Sequence, residues 1–159
     1  MYFPKDFKMK QSKQPLHVFL IYAHSDKNTI RKLYQRLIRH QIDVWLDEKK
    51  LFPGQNWSYE IHQAILRNDV VIVCLSKQFN KQGGFRHEEL KLALRKARSM
   101  PDDEIFLIPV RLEECELPEP LGPWHCVNLY EADGYRKLLA SLRKKLASRV
   151  QPPSLVLTK

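Results

Sequence analysis

The chain has 159 residues, 43% hydrophobic and 28% charged, with 5 glycines and 10 prolines, the composition of one ordinary globular domain. No apolar run approaches the roughly 18–20 residues of a membrane span, the lysine-bearing start lacks the apolar core of a secretory signal, and three scattered cysteines, Cys74, Cys115 and Cys126, make neither a disulfide scaffold nor a zinc site. The net charge of +9 is unevenly spread: residues 1–14 hold four lysines against one aspartate, residues 136–159 hold seven basic side chains and no acid, and residues 15–135 hold 16 basic against 17 acidic ones.

Residues 1–14 are aperiodic and basic, the pattern of a flexible leader. His17-Val-Phe-Leu-Ile-Tyr22 is a continuous apolar run of strand length, and strands apolar on both faces belong inside a parallel sheet. After the polar segment Ala23–Asn28, residues Ile30, Leu33, Tyr34, Leu37 and Ile38 recur at helical spacing. Ile42–Leu46 is predicted as the second strand. A loop over residues 47–56 leads into a helix with Trp57, Ile61, Ala64 and Ile65 on one face. Val70–Leu75 is the third strand and the most apolar stretch of the chain.

Ser76 to Gly84 reads as a loop, with Gly83-Gly84 breaking the chain before a helix that carries Phe85, Leu90, Ala93, Leu94 and Ala97 and runs to about Ser99. Ile105–Val110 is the fourth strand. Arg111–Pro123 is acidic and holds Pro118, Pro120 and Pro123, so a loop is expected there. His125–Leu129 is predicted as a short fifth strand, before a last helix with Tyr135, Leu138, Leu139, Leu142 and Leu146 in a stripe. Gln151-Pro-Pro-Ser154 begins a linker-like tail over residues 150–159, leaving residues 15–149 as the domain.

Strand–helix alternation repeated about five times predicts an α/β fold. Right-handed crossovers leave few topologies, and five strands favour a flavodoxin-like three-layer sandwich, sheet order 2-1-3-4-5. Ligands bind such sheets outside the carboxyl ends of the strands, where the order reverses. Tyr22–Asn28 and Ser76–Glu89 would face that crevice. The familiar occupants do not fit. The chain has no GxGxxG, no GxxxxGK[ST] and no GxSxG, and Ala23-His24 and Leu75-Ser76 stand where a response regulator needs acids. Zinc-finger spacing, RNA-stacking aromatics and a recognition-helix pattern are missing as well, so the basic last helix is read as a solvated face or a general anion contact, with no specific nucleic acid expected.

Phe85 and Glu89 lie four apart at the start of the third long helix and so share one side of it. A carboxylate at the edge of an apolar stripe is costly without a partner or a task; a first-turn acid favourable to the helix dipole is the plainer account, and Glu88 fills that role equally well.

The segments Phe19-Leu-Ile-Tyr-Ala-His-Ser-Asp26, Val44-Trp-Leu-Asp47, Leu51-Phe-Pro-Gly54, Trp57-Ser-Tyr-Glu-Ile61, Cys74-Leu-Ser76, Phe85-Arg-His-Glu-Glu-Leu90 and Ile108 to Pro118 together resemble the ordered boxes of Toll/interleukin-1 receptor (TIR) domains, prokaryotic type, across roughly residues 15–146. The resemblance implies a flavodoxin-like fold and one of two functions. Some TIR domains are non-enzymatic modules that pair with other TIR domains. Others cleave NAD+ to nicotinamide and ADP-ribose or cyclic ADP-ribose in stress or antiviral defence, usually after self-association.

For the second function the resemblance makes Glu89, followed by Leu90 and preceded by Phe85, the catalytic residue; Glu88 does not match that position. It implies a substrate site drawn from Tyr22, Ala23, His24, Phe52, Gly54, Trp57, Ser76 and Phe85, with NAD+ as substrate and no metal or other cofactor. Trp57 and Phe52 would close the pocket or simply pack the loop, and Gly54 serves the turn after Pro53. Animal members carry an arginine after the first-box tyrosine, where this chain has Ala23 and then His24. The aromatic before the glutamate, often tryptophan, is here Phe85. The resemblance also implies homo-oligomers, while the scattered cysteines, read as reduced thiols, point to a cytoplasmic location and the linker-like tail to a further domain or partner protein.

Overall fold

The computed structural model describes residues 14–46, 52–82 and 85–150; the expected leader and tail lie almost wholly outside them. Five parallel strands, β1 (His17–Ile21), β2 (Asp43–Trp45), β3 (Val70–Leu75), β4 (Leu107–Arg111) and β5 (Val127–Asn128), form one sheet in the order β2-β1-β3-β4-β5. The helices are α1 (Lys27–Arg39), α2 (Trp57–Arg67), α3 (Lys77–Lys81), α4 (Phe85–Ser99) and α5 (Gly134–Val150), with 3₁₀ turns at His24–Asp26 and Glu119–Leu121. This is the expected flavodoxin-like topology.

The period of two along β3 divides the core. All six residues of β3 are buried. Val70, Ile72 and Cys74 face a cluster completed by Ile30, Leu33 and Leu37 of α1 and Leu138, Leu139 and Leu142 of α5. Val71, Val73 and Leu75 face the other way, toward Ile61 and Ile65 of α2, Phe79 of α3 and Leu90, Ala93 and Leu94 of α4. A one-residue slip would exchange the two sets, so burial on both faces fixes the register. Each fully buried Val, Leu or Ile contributes about 1.5–3 kcal/mol relative to an exposed one.

Two expectations are corrected and a third, the loop after β4, holds with one addition. Residues 76–84 do not form a plain loop, because α3 interrupts them: Ser76 accepts from Phe79 N at 3.0 Å as its N-cap, and Phe79 is buried in the core. The fifth strand is only two residues long, since its pairing with β4 is confined to Val110↔Val127 and Arg111↔Asn128. The proline-rich segment after β4 contains one 3₁₀ turn, with Pro120 inside it and Leu121 fully buried beneath it.

Candidate functional site

Strand order reverses at β1, which has β2 on one side and β3 on the other. The crevice at that point lies outside the carboxyl ends of β1 and β3, where open α/β sheets take ligands. Its walls are the turn after β1, the Ser76 end of β3 and the amino-terminal part of α4, which packs against β1, β4 and α2.

The two strand ends are tied to each other. Ser76 Oγ donates to Asp26 Oδ2 at 2.5 Å while accepting from Phe79 N, so one hydroxyl caps α3 and anchors the His24–Asp26 turn. The turn is closed by Asp26 N donating to Ala23 O at 2.9 Å. Beyond β3, Lys77 N donates to Glu113 Oε2 at 2.8 Å and Asn80 Nδ2 to Glu116 O at 2.9 Å, which fastens the floor to the loop after β4.

The structure separates the two adjacent glutamates on α4. Glu88 is exposed and forms a 3.2 Å ion pair with Lys91, the solvated first-turn acid that the helix dipole favours. Glu89 is 1% exposed, beside Leu90 and one turn from Ala93, both core residues. Burying a carboxylate opposes folding by several kcal/mol before its partners are counted. A buried carboxylate in the second turn of a helix that follows the switch-point strand β3 is a candidate reactive side chain. Phe85 opens α4, and its side chain lies outside the described residues.

The remaining expected site residues fall into two groups. Tyr22, Ala23 and Ser76 are almost fully buried. Tyr22 belongs to the α1/α5 core and Ala23 to the α2/α4 core, so their side chains build the walls instead of projecting into the crevice. His24, Phe52, Gly54 and Trp57 are exposed. Phe52–Gln55 is a β-turn with Gln55 N donating to Phe52 O at 3.1 Å. Pro53 at its second position and Gly54 at φ +93° in its third are what a type II turn demands. Gln55 Oε1 accepts from Phe52 N at 2.7 Å, and Asn56 caps α2 by accepting from Tyr59 N at 3.0 Å. Residues 47–51 of this loop lie outside the described set.

Asp26 is the functional candidate that sequence reasoning passed over. Its partner is 50 residues away, and a serine ending a strand reads only as a helix cap. No thiol stands out as a nucleophile. Burial, and secondarily the Asp26 charge, pushes Cys74 well above the usual thiol range, and burial also raises Cys115 and Cys126. Among the described residues no group of three or more His, Cys, Asp or Glu side chains could hold a metal ion. A surface hollow lined by Pro15, Ile38, His40, Asp43 and Leu146 lies at the opposite edge, by the amino end of β2, away from Glu89.

The sequence profile of the TIR domain matches residues 18–139. The chain belongs to the TIR-domain family. This TIR domain is 27% identical over 123 residues to the NAD(+) hydrolase TcpC of Escherichia coli, covering 77% of this chain and 35% of that protein. It is 24% identical over 123 residues to the NAD(+) hydrolase TirS of Staphylococcus aureus, covering 77% of this chain and 38% of that one. The chain spans between 17% and 38% of the length of the curated relatives it matches. Among solved structures, the TIR domain of a Toll-related receptor from Hydra magnipapillata superposes with a TM-score of 0.66 at 24% identity, covering 79% of this chain and 97% of that domain. That likeness bears on fold. No helix among the described residues is long and apolar enough to cross a membrane.

Proposed function

We propose that this TIR domain cleaves NAD+ to nicotinamide and ADP-ribose, or its cyclic form, with Glu89 as the catalytic residue. The observation that carries the reading is the burial of Glu89 near the amino end of α4, next to a glutamate that points to solvent. The two bacterial relatives named NAD(+) hydrolases support the choice of substrate.

One carboxylate suffices for this reaction. Most glycosidases need a second carboxyl group to protonate a poor leaving group. In NAD+ the ribose C1′–N bond breaks with its electron pair passing to the pyridinium nitrogen, so nicotinamide departs neutral and needs no acid. Water then adds to C1′ and releases a proton, giving ADP-ribose; in the cyclic product a ring nitrogen of the same molecule's adenine bonds C1′ in place of water, again with loss of a proton. Positive charge develops on the ribose only in the transition state, and a fixed anion beside it stabilises charge that the ground state lacks. Low surrounding dielectric strengthens the effect.

The other residues take supporting roles in this reading. Phe85, one helical turn before Glu89, packs on nicotinamide or ribose. Phe52 and Trp57 fold over the crevice mouth and exclude water, and the Gly54 turn sets their approach. His24 meets the phosphate or adenine end, in place of the arginine of animal members. Tyr22 and Ala23 serve as wall, and the Ser76–Asp26 bond holds the turn that carries His24. NAD+ is substrate here, and no metal or other cofactor takes part.

Self-association is expected to switch the activity on, in stress or antiviral defence. The test is chromatographic separation of nicotinamide, ADP-ribose and cyclic ADP-ribose after incubating NAD+ with the chain over a wide range of protein concentration. Turnover per molecule that rises with concentration and disappears in Glu89→Gln is expected; full turnover in Glu89→Gln contradicts the reading.

A second reading has its own observation. Phe52, Trp57 and Tyr59 are 75%, 42% and 56% exposed, and clustered exposed aromatics are characteristic of docking surfaces. In that reading the domain is a non-enzymatic module that binds other TIR domains through residues 51–57. An absence of nicotinamide release at every concentration, with or without crowding agents, would favour it.

A further inference from the structure

Counted along the chain, residues 15–135 are close to neutral, but the fold sorts those charges in space. Helix α1 carries Lys27, Arg31, Lys32, Arg36 and Arg39 and no acid. Helix α5 carries six basic residues and no acid. Both cover the same side of the sheet, their apolar stripes meeting in one core, and they touch directly. The Arg36 guanidinium lies 3.7 Å over the Tyr135 ring, and the Tyr135 hydroxyl is 2.9 Å from His40 Nδ1. The outer layer of this side is therefore two adjoining helices without one carboxylate of their own.

Neighbouring acids neutralise only part of this charge. Asp133 pairs with Lys137 at 3.4 Å and Arg136 at 3.9 Å, Glu104 with Lys145 at 3.9 Å, and Asp69 with Arg149 at 2.8 Å. Arg31, Lys32, Arg39, Arg143 and Lys144 are exposed and make no ion pair with an acid among the described residues. Like charges packed this closely raise the folding free energy unless a counter-anion is bound. A face of this kind attracts phosphates through charge and, at its arginines, through bidentate hydrogen bonds.

We propose that the α1–α5 face binds the phosphodiester backbone of duplex nucleic acid without regard to sequence. The geometry favours this partner over two others. A bilayer surface calls for an apolar face to enter the headgroup layer, yet the apolar stripes of both helices are spent on the core. Of the large exposed hydrophobics only Ile38 lies on either helix, while Phe52, Trp57, Tyr59 and Leu66 belong to α2 and the turn before it. A second copy pairing through the same face would set like charge against like.

The partner's form also follows from the surface. Helices of 13 and 17 residues run about 20 and 25 Å, most of one ~34 Å turn of duplex. Tyr34 is only part-exposed and Tyr135 is buried, leaving no stacking platform of the sort that single strands use. Contacts limited to phosphates position a protein on the duplex and carry no base information.

The experiment measures fluorescence anisotropy of labelled 20-bp DNA and RNA duplexes with the full chain, from about 50 to 300 mM salt. Two variants carry the same net-charge change: Arg31→Glu/Arg39→Glu/Lys144→Glu on this face, and Lys91→Glu/Arg95→Glu/Arg98→Glu on α4 as control. The log–log salt slope is about −0.9 per phosphate neutralised, so the first variant is expected to weaken binding at least ~10-fold and to flatten the slope by about 2–3. The control stays within about threefold of the parent. Circular dichroism checks folding, and the milder Arg31→Gln/Arg39→Gln/Lys144→Gln replaces the first variant if that unfolds.

Stronger binding to DNA than to RNA, or the reverse, would name the source of the phosphates within the proposal. Equal loss in both charge variants, or no duplex binding at ~50 mM salt, would overturn it. So would tighter binding to phosphatidylserine/phosphatidylcholine vesicles than to either duplex at matched salt. Loss of self-association by sedimentation velocity with duplex binding unchanged would assign the face to a second copy instead.

Discussion

The two sides of the sheet share the same strands and differ in almost everything laid over them. On the α2/α4 side, charges of both signs are mixed, exposed aromatics gather at Phe52, Trp57 and Tyr59, and a carboxylate is buried at Glu89. On the α1/α5 side every charged residue of the helices is basic, and their inner stripes are mainly aliphatic with Tyr135 among them. The strands supply alternating side chains to both layers alike, so the backbone imposes no such asymmetry. It lies in what each helix turns away from the core, and in the one carboxylate, Glu89, that α4 buries. In the two proposals one side serves chemistry at the crevice and the other contacts governed by charge.

Substitutions on either side of the sheet test that division. The largest effect belongs to Glu89→Ala, expected to lower nicotinamide release by at least about 10²-fold, the scale of removing one preorganised charge-stabilising group. Thermal unfolding of that variant and of Glu89→Gln checks that each stays folded at the assay temperature, so that the loss reads on chemistry. The cores should respond alike whatever their surfaces do. Leu138→Ala on the α1/α5 side and Ile61→Ala on the α2/α4 side are each expected to lose ~2–5 kcal/mol in denaturant unfolding.

Gly134→Ala comes next. A Cβ there would meet Asn128 O at 2.2 Å and Leu129 Cα at 2.8 Å, backbone atoms that cannot rotate away. A loss of about 1–3 kcal/mol is expected from this overpacking. Ser76→Ala removes the α3 cap and the partner of Asp26 together, for about 1–2 kcal/mol. It should also lower activity more than its stability cost explains, because the turn carrying His24 loses its anchor. The smallest effect is Gly54→Ala. Its φ of +93° disfavours any side chain although nothing crowds the position, so about 1–2 kcal/mol of strain is expected, confined to the exposed turn.

The elements that carried strong periodicity were legible in the sequence. β3 is bounded at Val70 and Leu75 as its apolar run indicated, and the stripe Ile30, Leu33, Leu37 is the buried face of α1. What stayed illegible depended on contacts distant in sequence. Five-residue α3 is too short for a readable period and too short to persist alone; Ser76, Phe79 and the Asn80–Glu116 contact hold it. The Asp26–Ser76 bond joins residues 50 apart, and no local pattern announces it. Glu88 and Glu89 were interchangeable as first-turn acids until helix phase set one inside and one outside. The basic face was hidden for a similar reason: a count along the chain averages α1 against the acids of residues 102–119, and only folding sets α1 beside α5.

The most direct test of the account is nicotinamide release from NAD+ by the concentrated chain alongside Glu89→Ala and Glu88→Ala, measured side by side. Release abolished in Glu89→Ala and retained in Glu88→Ala is the predicted result. Equal release from the parent chain and the Glu89 variant would rule out Glu89 as the catalytic residue, because the buried carboxylate would then have no part in the chemistry.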